Sequence, residues 1–199
     1  MLPTTAARLP DAGGGRSLFR LPEAGIDLWL QPVTDLVRAR RLGRDWLAEL
    51  AGRPGGEPAL RVSATGKPAL ADGGPAFNLS HSRGWLALAW SVAQPALGVD
   101  IEDFPARGRA RRDALARRYF HPAEIAAWQA ADTADEAAAW LACWTRKEAV
   151  LKAHGLGLRL TLATLDTTTA PVQHPQLGRW QVETLAVADA ALLSIAWPA

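Results

Sequence analysis

Trp144-Thr-Arg-Lys-Glu-Ala-Val-Leu-Lys152 reads as the end of a long helix. At about 100° per residue, Trp140, Trp144 and Leu151 fall on one stripe. Glu148 and Lys152 stand at i and i+4 on the flank of that stripe, so both project from the same side. The pair has two readings: a solvated pair worth about 0.2–0.5 kcal/mol, or an acid and a base at the edge of buried structure. Upstream, Asp132-Thr-Ala-Asp-Glu136 contains a capping box, Thr133 with Glu136, where this helix starts. His154-Gly155 ends it.

Outward from the helix the pattern changes to strands. Leu97-Gly-Val-Asp-Ile-Glu102 alternates, so Val99 and Ile101 face one way and Asp100 and Glu102 the other. Two carboxylates on one face either stand in solvent or hold something positive between them. A divalent cation such as Mg²⁺ takes hard oxygens of this kind. Phe77-Asn-Leu-Ser-His-Ser-Arg-Gly-Trp-Leu-Ala-Leu-Ala-Trp90 reads as strands over 76–80 and 85–91, with a tight turn at Ser82-Arg83-Gly84. Ser80, His81 and Ser82 then gather at a strand end with their donors aimed outward. They hold a phosphate there, or they satisfy local backbone groups.

Nearer the amino terminus, residues 1–20 read as loose, because Leu-Pro-Asp-Ala-Gly-Gly-Gly is a cluster of breakers. Ile26–Leu30 alternates as a half-buried strand. Thr34-Asp35 offers an N-cap for a helix ending at Gly52, with Arg38, Arg41 and Arg44 spaced by three on one face. Arg53–Pro58 is a loop, Leu60–Val62 a short strand, and Thr65-Gly66-Lys67-Pro68 a turn. Residues 103–119 are arginine-rich and are assigned to no element. Pro122 and Glu124 mark a helix start. Gly157-Leu-Arg-Leu160, Trp180–Val187 and Leu192–Trp197 are strand-like. Helices with short antiparallel strands give an α+β class. Element order suggests two similar halves, 21–95 and 96–199, after a loose segment 1–20.

Composition bounds the function. The 199 residues are 49% hydrophobic and include nine tryptophans, which must mostly fill core or grooves. A net charge of +2 does not suit a general nucleic-acid binder. The arginines do cluster, at 38, 40, 41 and 44 and again at 107, 109, 111, 112, 117 and 118, which suits an anionic ligand or an acidic partner. The single cysteine, Cys143, allows no internal disulfide and fits a reducing cytosol. No run has signal-peptide or membrane-spanning length, so the expectation is a cytoplasmic protein without membrane contact.

Five of these stretches together resemble the Sfp-type 4′-phosphopantetheinyl transferases. They are Gly66-Lys67-Pro68, Phe77-Asn-Leu-Ser-His-Ser82, Gly98-Val-Asp-Ile-Glu102, Phe120-x-x-x-Glu124 and Trp144-x-x-Lys-Glu-Ala-x-x-Lys152. They span residues 66 to 157 in the family's order. The resemblance implies a pseudo-dimer of two α+β halves, each a short antiparallel sheet packed on helix, with coenzyme A in the cleft between them. It implies transfer of the phosphopantetheine arm of coenzyme A to a serine of an apo acyl or peptidyl carrier protein, releasing 3′,5′-ADP. By the same resemblance Asp100, Glu102 and Glu148 bind Mg²⁺ or Mn²⁺, and Glu148 and Lys152 are catalytic. Lys67, Ser80, His81 and Lys152 contact coenzyme A phosphates, with Arg41 and Arg44 (and Arg38 and Arg53) as candidates for its nucleotide end. Lys147 either supports the pyrophosphate or lays its methylenes along the apolar stripe. The arginines of 107–118 form a docking surface for an acidic carrier, and the protein is expected to act as a monomer. A Mg²⁺-dependent coenzyme A or pyrophosphate hydrolase and a non-catalytic coenzyme A-binding module are the alternatives.

Overall fold

Two four-stranded antiparallel sheets share one apolar core, and each carries a helix on its outer face. The computed structural model describes residues 15–104, 108–157, 160–188 and 191–199. The first sheet contains β1 (Ser17–Leu21), β2 (Ile26–Pro32), β5 (Ala76–His81) and β6 (Trp85–Ser91), in the order β1-β2-β6-β5. The second contains β7 (Gly98–Asp103), β8 (Val172–His174), β9 (Gly178–Val187) and β10 (Ala191–Pro198), in the order β7-β10-β9-β8. A small hairpin, β3 (Leu60–Val62) with β4 (Pro68–Leu70), stands apart. The helices are α1 (Leu36–Leu50), α2 (Arg109–Tyr119), α3 (Pro122–Gln129) and α4 (Glu136–His154). The class is α+β.

Alternation along the strands builds the layers. In β2, Ile26, Leu28 and Leu30 enter the core between the sheets, together with Val99 and Ile101 of β7 and Leu193 and Ile195 of β10. Trp29 turns to the opposite face and packs with Trp46 and Leu47 of α1. Across the second sheet, Ala149, Val150 and Ala153 of α4 meet Val182 and Ala196. Both faces of each sheet are therefore covered, which makes β2 more deeply buried than a half-buried strand. Of the nine tryptophans, seven are buried and Trp90 and Trp144 are half-buried.

Several elements depart from the sequence expectation. Residues 17–20, given by sequence as loose, belong to strand β1. Arg20 pairs with Asp27 across the β1–β2 hairpin at 2.8 Å, and Arg16 lies over the Trp29 ring at 4.1 Å. These contacts between distant residues hold an edge strand whose Leu18 is exposed. The arginine-rich stretch is helix α2. The N-cap of α4 is Asp135, not Thr133, and it makes no side-chain cap bond. Glu136 is drawn inward instead, accepting from Arg112 Nη2 at 2.5 Å and Trp128 Nε1 at 2.6 Å. Asp35 does cap α1, accepting from Arg38 N at 2.8 Å. His121 and Glu124 form a capping box on α3. In the expected strand 157–160, Leu158 and Arg159 lie outside the described residues, and Leu160 is buried outside any strand. Among the described residues no helix is long and apolar enough to cross a membrane.

Candidate active site

The site lies where β5 of one sheet runs beside β7 of the other. Side chains, not ladder bonds, join these strands. Val99 N donates to Asn78 Oδ1 at 2.9 Å, and Ile101 N donates to Ser80 Oγ at 3.3 Å. On the far side α4 lies directly on β7. A Cβ placed on Gly98 would stand 2.2 Å from Ala149 O and 2.3 Å from Ala153 N, so only glycine permits this approach.

That approach brings Lys152 onto Asp100. The ammonium donates to Asp100 Oδ1 at 2.7 Å, Ser80 Oγ at 3.0 Å and Val99 O at 3.1 Å. Ser80 Oγ in turn donates to Asp100 Oδ1 at 3.1 Å. Asp100 is buried and Lys152 half-buried, so the charge pair is only partly screened. Glu102 shares the Asp100 face of β7 and is half-buried. Glu148 and Lys152 line a cavity of about 210 Å³ together with Lys67, Asn78 and Leu151. The pair at i and i+4 thus faces a cavity at the sheet junction.

Lys67 Nζ donates to Leu97 O at 3.1 Å and to Ala153 O at 2.5 Å, closing the last turn of α4. Burial pulls its pKa down to about 8. Two of its three N–H groups are committed to backbone, which leaves one for a ligand. Ser80 is not aimed outward: it is buried against β7, whereas His81 is exposed on the opposite face of β5. Adjacent strand residues cannot share a face. Leu79, on the same face as His81, packs toward Gly43 of α1, so His81 is on the side covered by α1. Arg38, Arg41 and Arg44 are exposed on that helix. Arg53 pairs with Asp72 at 2.8 Å on the surface. The structure therefore joins Ser80, Asp100 and Lys152 by hydrogen bonds and sets Glu148 and Lys67 around the adjoining cavity. His81, Arg41 and Arg44 lie outside that set, each exposed.

Lys147 takes neither role that sequence allows it. It is 1% exposed and pairs with Glu124, itself 0% exposed, at 2.8 Å. It also donates to Leu162 O at 2.8 Å and to Leu165 O. Glu124 further accepts from Thr167 N at 3.0 Å, Thr167 Oγ1 at 2.6 Å and His121 N at 2.8 Å. Two of the sequence motifs thus meet inside the protein, tying α3, α4 and the 162–167 segment. Sequence reasoning gave no role to Asn78 or Gly98. An amide inside the apolar run Phe77-Asn-Leu79 was the signal for the first, since a buried polar group needs partners.

Three carboxylates on facing elements are hard-oxygen donors that suit a Mg²⁺-like cation. Among the described residues no three His, Cys, Asp or Glu side chains converge into a closed cage. Mg²⁺ does not require one, since it keeps waters and binds through one or two carboxylates plus ligand phosphates. The donor set fits. Carboxylates and a lysine thus surround a small cavity at the junction of the two sheets of an α+β protein, a set of groups that can meet an anionic ligand and a hard cation.

Comparison with known proteins agrees. Residues 96–194 match the 4′-phosphopantetheinyl transferase superfamily. The chain is 34% identical over 132 residues to 4′-phosphopantetheinyl transferase AcpT of Salmonella typhimurium, covering 66% of each protein. It is 29% identical over 164 residues to 4′-phosphopantetheinyl transferase HetI of a Nostoc species, covering 79% of this chain and 68% of that one. The matched stretch thus spans about two thirds of these relatives' length. The chain belongs to the 4′-phosphopantetheinyl transferase superfamily.

Proposed function

We propose that this protein transfers the 4′-phosphopantetheine arm of coenzyme A to a serine hydroxyl of an apo acyl or peptidyl carrier protein, releasing 3′,5′-ADP. The observation that carries the reading is the Lys152–Asp100–Ser80 node beside the cavity lined by Glu148. The serine oxygen bonds to the pantetheine-side phosphorus of the pyrophosphate, the bond from that phosphorus to the bridging oxygen breaks, and 3′,5′-ADP leaves with the electron pair. Glu148 takes the serine proton. Lys152 supplies positive charge where the bridging and terminal oxygens gain negative charge. Asp100, Glu102 and Glu148 would hold Mg²⁺ or Mn²⁺, which supplies Lewis acidity and a template for the pyrophosphate. His81, Arg41 and Arg44 are exposed side chains for the nucleotide end, and the remaining N–H of Lys67 faces the same ligand.

The proposed partner is acidic. Arg109, Arg111, Arg117 and Arg118 are exposed on α2, and Arg112 is withdrawn into its pair with Glu136. Arg107 lies outside the described residues. The protein is proposed to act as a monomer in the cytoplasm, in keeping with its single buried cysteine.

Intact-protein mass spectrometry tests the reading. An apo carrier is incubated with this protein, coenzyme A and Mg²⁺, with EDTA and Asp100→Ala controls. One added phosphopantetheine, lost in both controls, is expected. Coenzyme A cleaved with the carrier unmodified would indicate a hydrolase. Coenzyme A bound but intact, across several acyl and peptidyl carriers, would indicate a binding module.

A further inference from the structure

A second cavity, of about 630 Å³, opens between α3, α4, the 167–170 segment and β9. It shares no lining residue with the cavity that Glu148 and Lys152 line. Arg146 lines it from α4, two residues before Glu148 and so about 200° around the helix. The walls are largely apolar and include Trp128, Ala131, Ala139, Ala142 and Val182. Burial pushes the Cys143 thiol up to about 12, so that side chain lines the wall as a neutral group.

Among the described residues Arg146 is the only cation lining this cavity, and it is 6% exposed. Its Nε donates to Thr167 O at 2.7 Å, Nη1 to Val182 O at 3.5 Å and Nη2 to Thr169 O at 3.3 Å. The last two bonds are long, and each terminal nitrogen keeps a further N–H. Among the described residues no carboxylate pairs with Arg146, and Glu124 is already taken by Lys147. Burial pulls the guanidinium below its ordinary pKa. A buried cation without a counter-charge is costly. An apolar cavity with one convergent charged group has the form of a small-molecule site, and its volume lies within the roughly 300–1,000 Å³ of such sites. Asp132 and Asp135 are exposed and line the same cavity, so they repel a phosphate or any other polyanion that approaches. A single negative charge on an apolar body meets all of these conditions.

We propose that this cavity binds a small apolar monocarboxylate, with its carboxylate on the free N–H groups of Arg146 and its hydrocarbon along the alanine wall. The inference does not depend on the coenzyme A reading, and no bond is made or broken at this site.

The probe is octanoate, with octanol as its uncharged counterpart, titrated into the full chain and followed by calorimetry and backbone-amide NMR. Octanoate should shift the amides of 127–131, 139–146 and 181–184 and leave those of 76–81 and 98–102 in place. It should bind about tenfold or more tightly than octanol, the factor expected for hydrogen bonds to a charged group. Arg146→Met removes the donors and should weaken octanoate binding by about the same factor. Ala139→Leu fills the cavity without touching the guanidinium contacts; it should weaken octanoate at least as much and leave coenzyme A binding unchanged. If Arg146→Met folds poorly, Ala139→Leu and the octanoate–octanol comparison still decide the matter. Octanol binding as tightly as octanoate would overturn the proposal and leave Arg146 as a tie among loop carbonyls. So would unmoved amides at millimolar octanoate, or displacement of octanoate by coenzyme A or inorganic phosphate.

Discussion

Replacing Lys147 with methionine separates two roles for a lysine that sequence places beside Glu148 and Lys152, the proposed catalytic pair. The Lys147 ammonium and the Glu124 carboxylate are 2.8 Å apart with 1% and 0% exposure. Burial pulls the ammonium below its usual range, and the Glu124 charge pulls it back up. Removing one partner of such a pair leaves the other charged and buried, which costs about 3–5 kcal/mol. Two carbonyls, Leu162 O and Leu165 O, also lose their donor. For a chain of this size each kcal/mol moves Tm by about 2–4 °C, so a drop of roughly 6–20 °C is expected. Lys147→Met combined with Glu124→Gln removes both charges and should recover part of the loss, although the single amide oxygen of Gln can accept from Thr167 or from His121 but not from both. Urea unfolding gives the energies, and coenzyme A kinetics at a temperature where the variant is folded give KM. Stability within 1 kcal/mol of wild type, or unchanged stability with a raised coenzyme A KM, would refute the buried-staple role and return Lys147 to the phosphates.

Gly98→Ala forces a methyl against the Ala149 carbonyl and the Ala153 amide, both backbone of α4. Overpacking costs about 1–3 kcal/mol, and since α4 must lift from β7, activity should fall further than stability explains; an unchanged Tm and kcat would contradict the close approach. The alkaline stability profile should carry two opposed contributions. Lys67 falls to about 8 from 10.5, so over that window the unfolded chain holds a proton that the folded chain has lost, and stability rises with pH. Cys143 is pushed up to about 12 from 9.0 by burial, so the folded chain keeps a proton that the unfolded chain releases, and stability falls as pH rises. Urea midpoints of wild type against Lys67→Met and Cys143→Ala across these windows should show each trend as a difference that the variant abolishes. Reversing Arg111 and Arg117 to Glu should raise KM for the carrier and leave KM for coenzyme A unchanged. Reversing Arg112 should instead lower Tm, because it breaks the buried pair with Glu136; equal carrier kinetics in all three would end the α2 docking proposal.

Much of the site is legible in the chain because strand alternation needs no tertiary information. It places Asp100 and Glu102 on one face and sends Val99 and Ile101 to the core. The same rule separates Ser80 from His81, which reading them as one phosphate-binding turn overlooks. Strand β1 and helix α2 were less legible. β1 follows a glycine run and is held by Arg16 and Arg20 contacts to residues beyond its own segment. Helix α2 has almost no apolar stripe, and its buried face is built around Arg112 and Ala116.

The sequence by itself determines the α+β class, the hairpin at 76–91, the co-directional acids and the helix that carries Glu148 and Lys152. Tertiary structure decides which lysine serves the site. Lys147 and Lys152 are five residues apart, about 140° around the helix, so α4 cannot turn both toward β7. Gly98 fixes that choice by letting the helix rest on the strand with Lys152 over Asp100, and Lys147 is carried to the far side, where Glu124 receives it.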